Sequence, residues 1–245
     1  MIIGIINGYY RSGTTIWQRI AEELLDVVTV HEPTGPSTGY ELPQYLNSST
    51  VHPFHGWDVF NSYRKIPREI LFKWYKRWSK LYIKGVVGPP IAGLLLEPFD
   101  RMDEEVIVKC ANIVDVQTVA EVFDCWVINI QRDPTATAYA HVEIFPRAWQ
   151  PKILDLPSFN TAFFVDDCYE KLGGEGATTV LEKLHYNLRK FYELTPPTHR
   201  FEEPKSIAKA MGVSWKEAKE YLDEKKLNPS LPKWFTEKWG SLARS

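Results

Sequence analysis

The first thirty-one residues restrict the fold of this chain more than any other stretch. Ile2, Ile3, Ile5 and Ile6 form a short, continuous, β-branched run, the pattern of a strand covered on both faces in a parallel sheet. Gly8 ends that run. From Thr14 to Asp26, Ile16, Ile20 and Leu24 recur four residues apart, with Trp17, Ala21 and Leu25 beside them. Gln18, Arg19, Glu22 and Glu23 fall elsewhere, as in an amphipathic helix. Val27 to Val30 reads as a second strand. Strand, glycine-containing loop, helix, strand is a βαβ unit, and it predicts an α/β fold built on a parallel sheet.

The same alternation returns later. Val106 to Val108 reads as a strand, Val114 to Val122 as a helix and Trp126 to Ile130 as another strand. A helix then opens at Pro134, where the missing N–H costs nothing. Between the halves, Pro33 to Glu105 reads as an insertion, rich in Pro, Gly, Ser and Thr at its start. Inside it, Pro67 to Lys84 has helical spacing, with Ile70, Leu71, Trp74, Trp78, Leu81 and Tyr82 on one side. Lys73, Lys76, Arg77, Lys80 and Lys84 fall largely on the other. Such a helix is either a solvated basic face over a packed aromatic stripe or a surface for a membrane or nucleic acid. Helices are expected over Thr179 to Leu194, Ser206 to Met211 and Ser214 to Lys226, the last with Ser214 and Glu217 as a capping box. The tail from Pro229 should wrap the body. The whole reads as one domain over residues 1–245, with 33–105 as the part that meets an acceptor.

Charge and composition exclude several classes. A formal net charge of −2 gives no global basic field for non-specific nucleic-acid binding. The Met1 to Ile6 run is too short for a targeting or spanning segment, and the longest other apolar stretch, Val86 to Leu96, is broken by Gly and Pro. Cys110, Cys125 and Cys168 are too few and scattered for a disulfide framework, and no metal-ligand spacing links them to the six histidines. A soluble cytoplasmic protein without a metal is the expectation. Oligomeric state is not legible.

The loop from Gly8 to Thr15 carries the chemistry. A strand-to-helix turn converges backbone N–H groups and the positive helix end on one anion. Ser12, Thr14 and Thr15 add hydroxyl donors, and Arg11 adds a charged fork. The segment nearly matches G-x4-G-K-[ST], but Thr14 stands at the lysine position, which argues against binding a triphosphate for hydrolysis.

Arg11-Ser12-Gly13-Thr14-Thr15 resembles the 5′-phosphosulfate loop of sulfotransferases that use 3′-phosphoadenosine-5′-phosphosulfate (PAPS). His31-Glu32-Pro33 is similar to the turn that bears the proposed catalytic base in the Golgi carbohydrate and tyrosylprotein sulfotransferases. Val106 to Lys109 resembles the strand whose lysine contacts the transferring group, and Arg132-Asp133-Pro134 resembles the start of the 3′-phosphate site. Arg200 to Pro204 with the helix to Gly212 is a weaker match to a late segment of the family. The five occur in the family's order. The resemblance implies a three-layer P-loop-like fold with an aromatic-rich, partly helical insertion. It implies PAPS as co-substrate, with Arg11, Ser12, Gly13, Thr14, Thr15 and Arg132 binding it and Glu32, Arg11 and Lys109 in catalysis. The acceptor would be a small molecule, carbohydrate or peptide bearing a hydroxyl or amine.

Two positions depart from the pattern. Ala140 stands where the family places a serine on the 3′-phosphate, a contact left to Tyr139, His141 or another loop. Ala111 stands where cytosolic members carry their catalytic histidine, which leaves Glu32 as the better base. His52, His55 and Asp58 are possible acceptor contacts or substitute bases. Two rival readings are a P-loop nucleoside or nucleotide kinase and a non-catalytic nucleotide-binding relative.

Overall fold

The computed structural model describes residues 1–46, 58–81, 83–159, 164–223 and 231–242. Five parallel strands form the central sheet in the order β2-β3-β1-β4-β5: β1 Ile2–Gly8, β2 Val28–His31, β3 Val106–Lys109, β4 Trp126–Gln131 and the short β5 His199–Arg200. The period-2 alternation of the strands decides what each face buries. Val28, Val30, Val106 and Val108 face one hydrophobic cluster, whereas Ile6, Ile107, Ile128 and Ile130 face another. With both faces covered by helices, the fold is a three-layer α/β sandwich.

Helix α1 (Thr14–Leu24) follows β1 and buries Trp17, Ile20 and Ala21 on the second face. Its helical part ends two residues earlier than the spacing predicts, and β2 begins one residue later. In the insertion, α2 (Thr38–Leu46) and a 3-10 turn (Asn61–Lys65) precede α3 (Arg68–Trp78), which is shorter than the expected helix to Lys84. A further helix, α4 (Pro89–Asp100), was not legible, because Gly93 and three prolines obscure its pattern. Pro89 and Pro90 occupy its first turn, where proline is tolerated.

The insertion's aromatic residues divide by depth. Phe60, Tyr63, Trp74 and Trp78 belong to the same cluster as the valines of β2 and β3, whereas Phe72 and Tyr75 are exposed. Phe54, Trp57 and Tyr82, like His52 and His55, lie outside the described residues.

After β3 come α5 (Val116–Phe123), then β4, α6 (Pro134–Ala140), α7 (Gln150–Leu154), α8 (Val165–Lys171) and α9 (Val180–Leu194). Thr179 caps α9 through a full capping box with Glu182. Beyond β5 lie α10 (Pro204–Ala210), α11 (Trp215–Asp223) and α12 (Lys233–Leu242). In the tail, α12 buries Phe235 and Trp239 in the cluster that holds α6 and α9. All three cysteines are unbridged, and burial pushes the thiols of Cys110 and Cys168 up to about 12. Among the described residues no helix is long and apolar enough to cross a membrane.

Candidate functional site

Parallel register brings the sequence motifs to one edge. His31 pairs with Lys109, Lys109 with Ile6, Gly8 with Ile130, and Gln131 with Arg200. The residues that follow these strands therefore emerge side by side: Glu32 after β2, the Gly8–Thr15 loop after β1, Arg132 after β4 and Phe201 after β5. From β1 the chain crosses to one side of the sheet and from β4 to the other, so the loop and Arg132 flank a topological switch point. Open α/β sheets bind ligands in that crevice.

Local sterics shape the loop. A Cβ on Gly8 would lie 2.3 Å from Ser12 Oγ and 2.6 Å from the Ile130 carbonyl, so only glycine lets the loop fold this close to β4. Arg11 and Gly13 adopt left-handed backbone, with φ of 68° and 93°, and the Ser12 N–H donates to the Tyr9 carbonyl over 3.0 Å. Helix α1 then starts with no side-chain cap and no acidic residue in its first turn. First-turn N–H groups have no intrahelical acceptor, and the helix dipole adds positive potential there. A turn of this kind has the chemistry to cradle an anion. Tyr192 on α9 braces it, accepting from the Tyr9 N–H at 3.2 Å and donating to the Ile130 carbonyl at 2.8 Å.

Two guanidinium groups face this cradle. Arg11 Nε donates to the Ala140 carbonyl at 3.1 Å, which fixes the plane of the fork. Burial lowers the Arg11 pKa, nearby Glu143 opposes that shift, and the charge of Arg132 adds to it. Arg132 stacks over Phe201, 5.5 Å from the ring centre; burial lowers its pKa too, against Glu143, Glu202 and Asp133. The Phe201 ring in turn lies against Gly13, where a Cβ would approach to 2.3 Å. Asp133 caps α6 through the Ala136 N–H at 2.7 Å, and its own N–H donates to Glu202. The weakest of the sequence matches, Phe201-Glu202, thus contacts both the loop and the Arg132 turn.

Glu32 and Lys109 form an ion pair at the other end of the crevice, with Lys109 buried and the Glu32 side chain 20% exposed. Glu32 has a φ of 48°. This left-handed backbone, costly outside glycine, is held by three hydrogen bonds. Its N–H donates to the Lys109 carbonyl at 2.7 Å, and its carbonyl accepts from the Gly35 N–H at 2.8 Å and Thr38 Oγ1 at 2.6 Å. Asn112 ties the turn down further, donating to the Thr34 and Gly85 carbonyls. The Glu32 charge reaches Tyr10 of the loop and Tyr63 of the insertion, where it adds to burial in raising both phenol pKa values.

No family model matches the sequence, and no curated protein matches it. Among solved structures the chain aligns with mouse sulfotransferase SULT7A1 complexed with PAP, at 13% identity and a TM-score of 0.31. That alignment covers 99% of this chain and 63% of the mouse chain, so the chain spans less than two thirds of that protein.

The substitutes for a hydroxyl at Ala140 are engaged elsewhere. Tyr139 donates to Gln150 Oε1. His141 Nδ1 lies 2.8 Å from the Thr137 carbonyl, which only accepts, so that nitrogen carries the proton. Burial, with Arg11 nearby, lowers the His141 pKa to about 3, so the neutral ring presents Nε2 as an acceptor, unsuited to a phosphate oxygen. Ala111 is buried. Asp58 is held by Arg64 and by the Phe60 N–H, which removes it as a ready base. His31, beside Glu32, is buried against Phe60, with Nδ1 on Gln18 Oε1.

Sequence reasoning missed Tyr192, Asn112 and Glu143. Tyr192 sits on a helix that reads as core packing, and Asn112 and Glu143 lie outside any recognisable spacing, so only the fold brings them to the site.

Proposed function

We propose that this protein is a PAPS-dependent sulfotransferase that transfers the sulfuryl group to a hydroxyl or amine acceptor. The observation that carries the reading is the placement of an uncapped helix N-terminus, two guanidinium groups and a carboxylate–ammonium pair along one sheet edge. Arg11 with the loop amides would take the 5′-phosphosulfate, and Arg132 the 3′-phosphate. The cradle suits such a donor: its first helical turn has no acidic residue and no side-chain cap, which leaves the first N–H groups for an anion. Thr14 in place of a lysine disfavours a magnesium triphosphate.

Bound PAPS supplies an activated sulfuryl group on a phosphate leaving group. The acceptor oxygen or nitrogen forms the new bond to sulfur as the bridging S–O bond breaks, and Glu32 accepts the acceptor's proton. Arg11, the loop amides and the hydroxyls of Thr14 and Thr15 stabilise charge on the departing 3′-phosphoadenosine-5′-phosphate (PAP). Lys109 holds Glu32 in place and carries positive charge toward the sulfuryl oxygens. The absence of histidine at Ala111 and the strained, braced Glu32 favour the carboxylate-base type of sulfotransferase over the histidine type.

Incubation with sulfur-labelled PAPS and a panel of phenol, sugar and peptide acceptors tests the proposal. Transfer of label to an acceptor, with release of PAP, supports it. PAP binding without transfer to any acceptor favours a non-catalytic nucleotide-binding protein instead.

A further inference from the structure

A cleft of about 540 Å³ opens between α2, the end of α3 and α8. Clefts of this size bury a molecule of one or two rings. Trp78 lies in it, with Tyr40 edge-on at 4.9 Å between ring centres and Tyr75 stacked at 6.0 Å. Tyr40 and Tyr75 are 73% and 44% exposed, so both rings offer surface to a ligand, whereas Trp78 is buried. Gly39 makes the arrangement possible, because a Cβ there would meet the Trp78 ring at 2.3 Å.

Two residues of its wall tie it to the Glu32 turn and to the anion loop. Pro36, on its wall, ends the turn that starts at Glu32. Phe164, on the opposite wall, packs against Tyr10 of the anion loop at 6.2 Å between ring centres and holds a left-handed φ of 53°. Gly85 presses against the α8 backbone, where a Cβ would lie 2.6 Å from the Cys168 nitrogen, so the two walls are fixed to each other.

Its surroundings are rich in positive charge. Between Arg64 and Lys84 the chain carries eight cationic residues and a single acid, Glu69, although the whole protein is net −2. Arg64 and Arg77 are paired with Asp58 and Glu97, whereas Lys73, Lys76 and Lys80 are exposed along α3 and its end. Lys80 and Lys84 line the cleft together with one acid, Asp167. Such a local field in a negative protein concentrates anions at that mouth.

We infer that this cleft is the acceptor site of the proposed transfer and that it takes a ring-bearing acceptor with a negative charge. Rings pack against Tyr40 and Tyr75, and Lys80 receives the charge. The inference rests on the sulfuryl-transfer reading for the word acceptor, but the binding it requires is measured without the donor. Aromatic and sugar rings share this chemistry, and matched probes separate them. Tryptophan fluorescence would be titrated with 4-hydroxyphenylacetate against tyramine, and with methyl glucuronide against methyl glucoside.

The anionic member of at least one pair should bind about tenfold tighter than its partner. Lys80→Glu should remove that preference, Tyr75→Ala should weaken both members, and the affinity for PAP should be unchanged in both variants. Equal binding within each pair, no binding in either, or an anionic preference untouched by Lys80→Glu overturns the inference. So does capture of the protein by phosphatidylserine vesicles with no probe binding, which would make α3 a lipid-docking face. Loss of PAP binding alone, with the anionic preference intact, counts against the donor reading and leaves the cleft assignment standing.

Discussion

Glu32 and Lys109 meet across adjacent parallel strands, with the ammonium almost wholly buried and the carboxylate partly open to the crevice. The register of β2 on β3 sets His31 opposite Lys109, so Glu32, the first residue after β2, turns over the lysine. A buried ammonium is costly without a partner, which makes the pair a structural element as well as a chemical one.

Glu32→Gln keeps the shape and an acceptor oxygen for Lys109 but removes the proton acceptor. Turnover should fall on the order of 10²-fold while PAP affinity stays nearly constant, because a general base acts in the transition state. Steady-state kinetics with calorimetry checks both halves. Unchanged turnover would remove Glu32 from the chemistry. In a thermal-unfolding cycle with Lys109→Met, the two substitutions should couple by about 1 kcal/mol or more, as contacting residues do.

Gly13→Ala tests the loop geometry. A side chain at φ 93° is strained, and its Cβ collides with the Phe201 ring that supports Arg132. Stability should drop by about 1–3 kcal/mol, read as a lower Tm, and donor affinity should fall with it. Gly93→Ala, where a Cβ meets nothing within 4 Å, is the control and should leave Tm unchanged or raised.

Glu143 is an exposed acid whose charge reaches both Arg11 and Arg132. In the donor reading it partly neutralises the site that the phosphates occupy. Glu143→Gln should therefore tighten PAP binding about two- to tenfold at low ionic strength, with the gain shrinking as salt rises. Titration at two salt concentrations measures this, and weaker binding in the variant would contradict it.

His141 makes stability pH-dependent on the acid side. Its folded pKa is lowered to about 3, while an unfolded histidine titrates near 6.5, so the unfolded chain binds the extra proton between those values. The contribution is complete above about pH 6.5 and is lost as pH falls toward 3, at up to about 1.4 kcal/mol per pH unit. His141→Gln should flatten that limb of the denaturation profile by up to one proton. A folded-state imidazole signal near pH 6.5 that disappears in His141→Gln would refute the assignment.

Much of this was legible in the sequence because parallel sheets announce themselves. The unbroken apolar runs at Ile2–Ile6 and Val106–Val108 locate buried strands, and parallel pairing brings the residues at their carboxyl ends to one edge of the sheet. The location of Arg11, Glu32, Lys109 and Arg132 at that edge was thus legible before their neighbours were known. Long-range braces could not. Tyr192 reaches the loop from a helix about 180 residues away in sequence, and nothing in local spacing encodes that contact. Helix α4 was hidden because its prolines and glycine break the periodic signal, although burial of Leu95, Leu96 and Phe99 holds it. The basic helix α3 was ambiguous for a different reason: periodicity separates its faces but does not say that Tyr75 stays open while Trp74 and Trp78 enter the core.

Donor discrimination tests the central claim most directly. Isothermal calorimetry on the purified protein would compare PAP with adenosine 5′-phosphate and with ATP plus magnesium, in the wild type and in Arg11→Ala. PAP should bind at least about tenfold tighter than either other nucleotide, and Arg11→Ala should abolish that preference. Tight binding of magnesium ATP with no response to PAP would contradict the account.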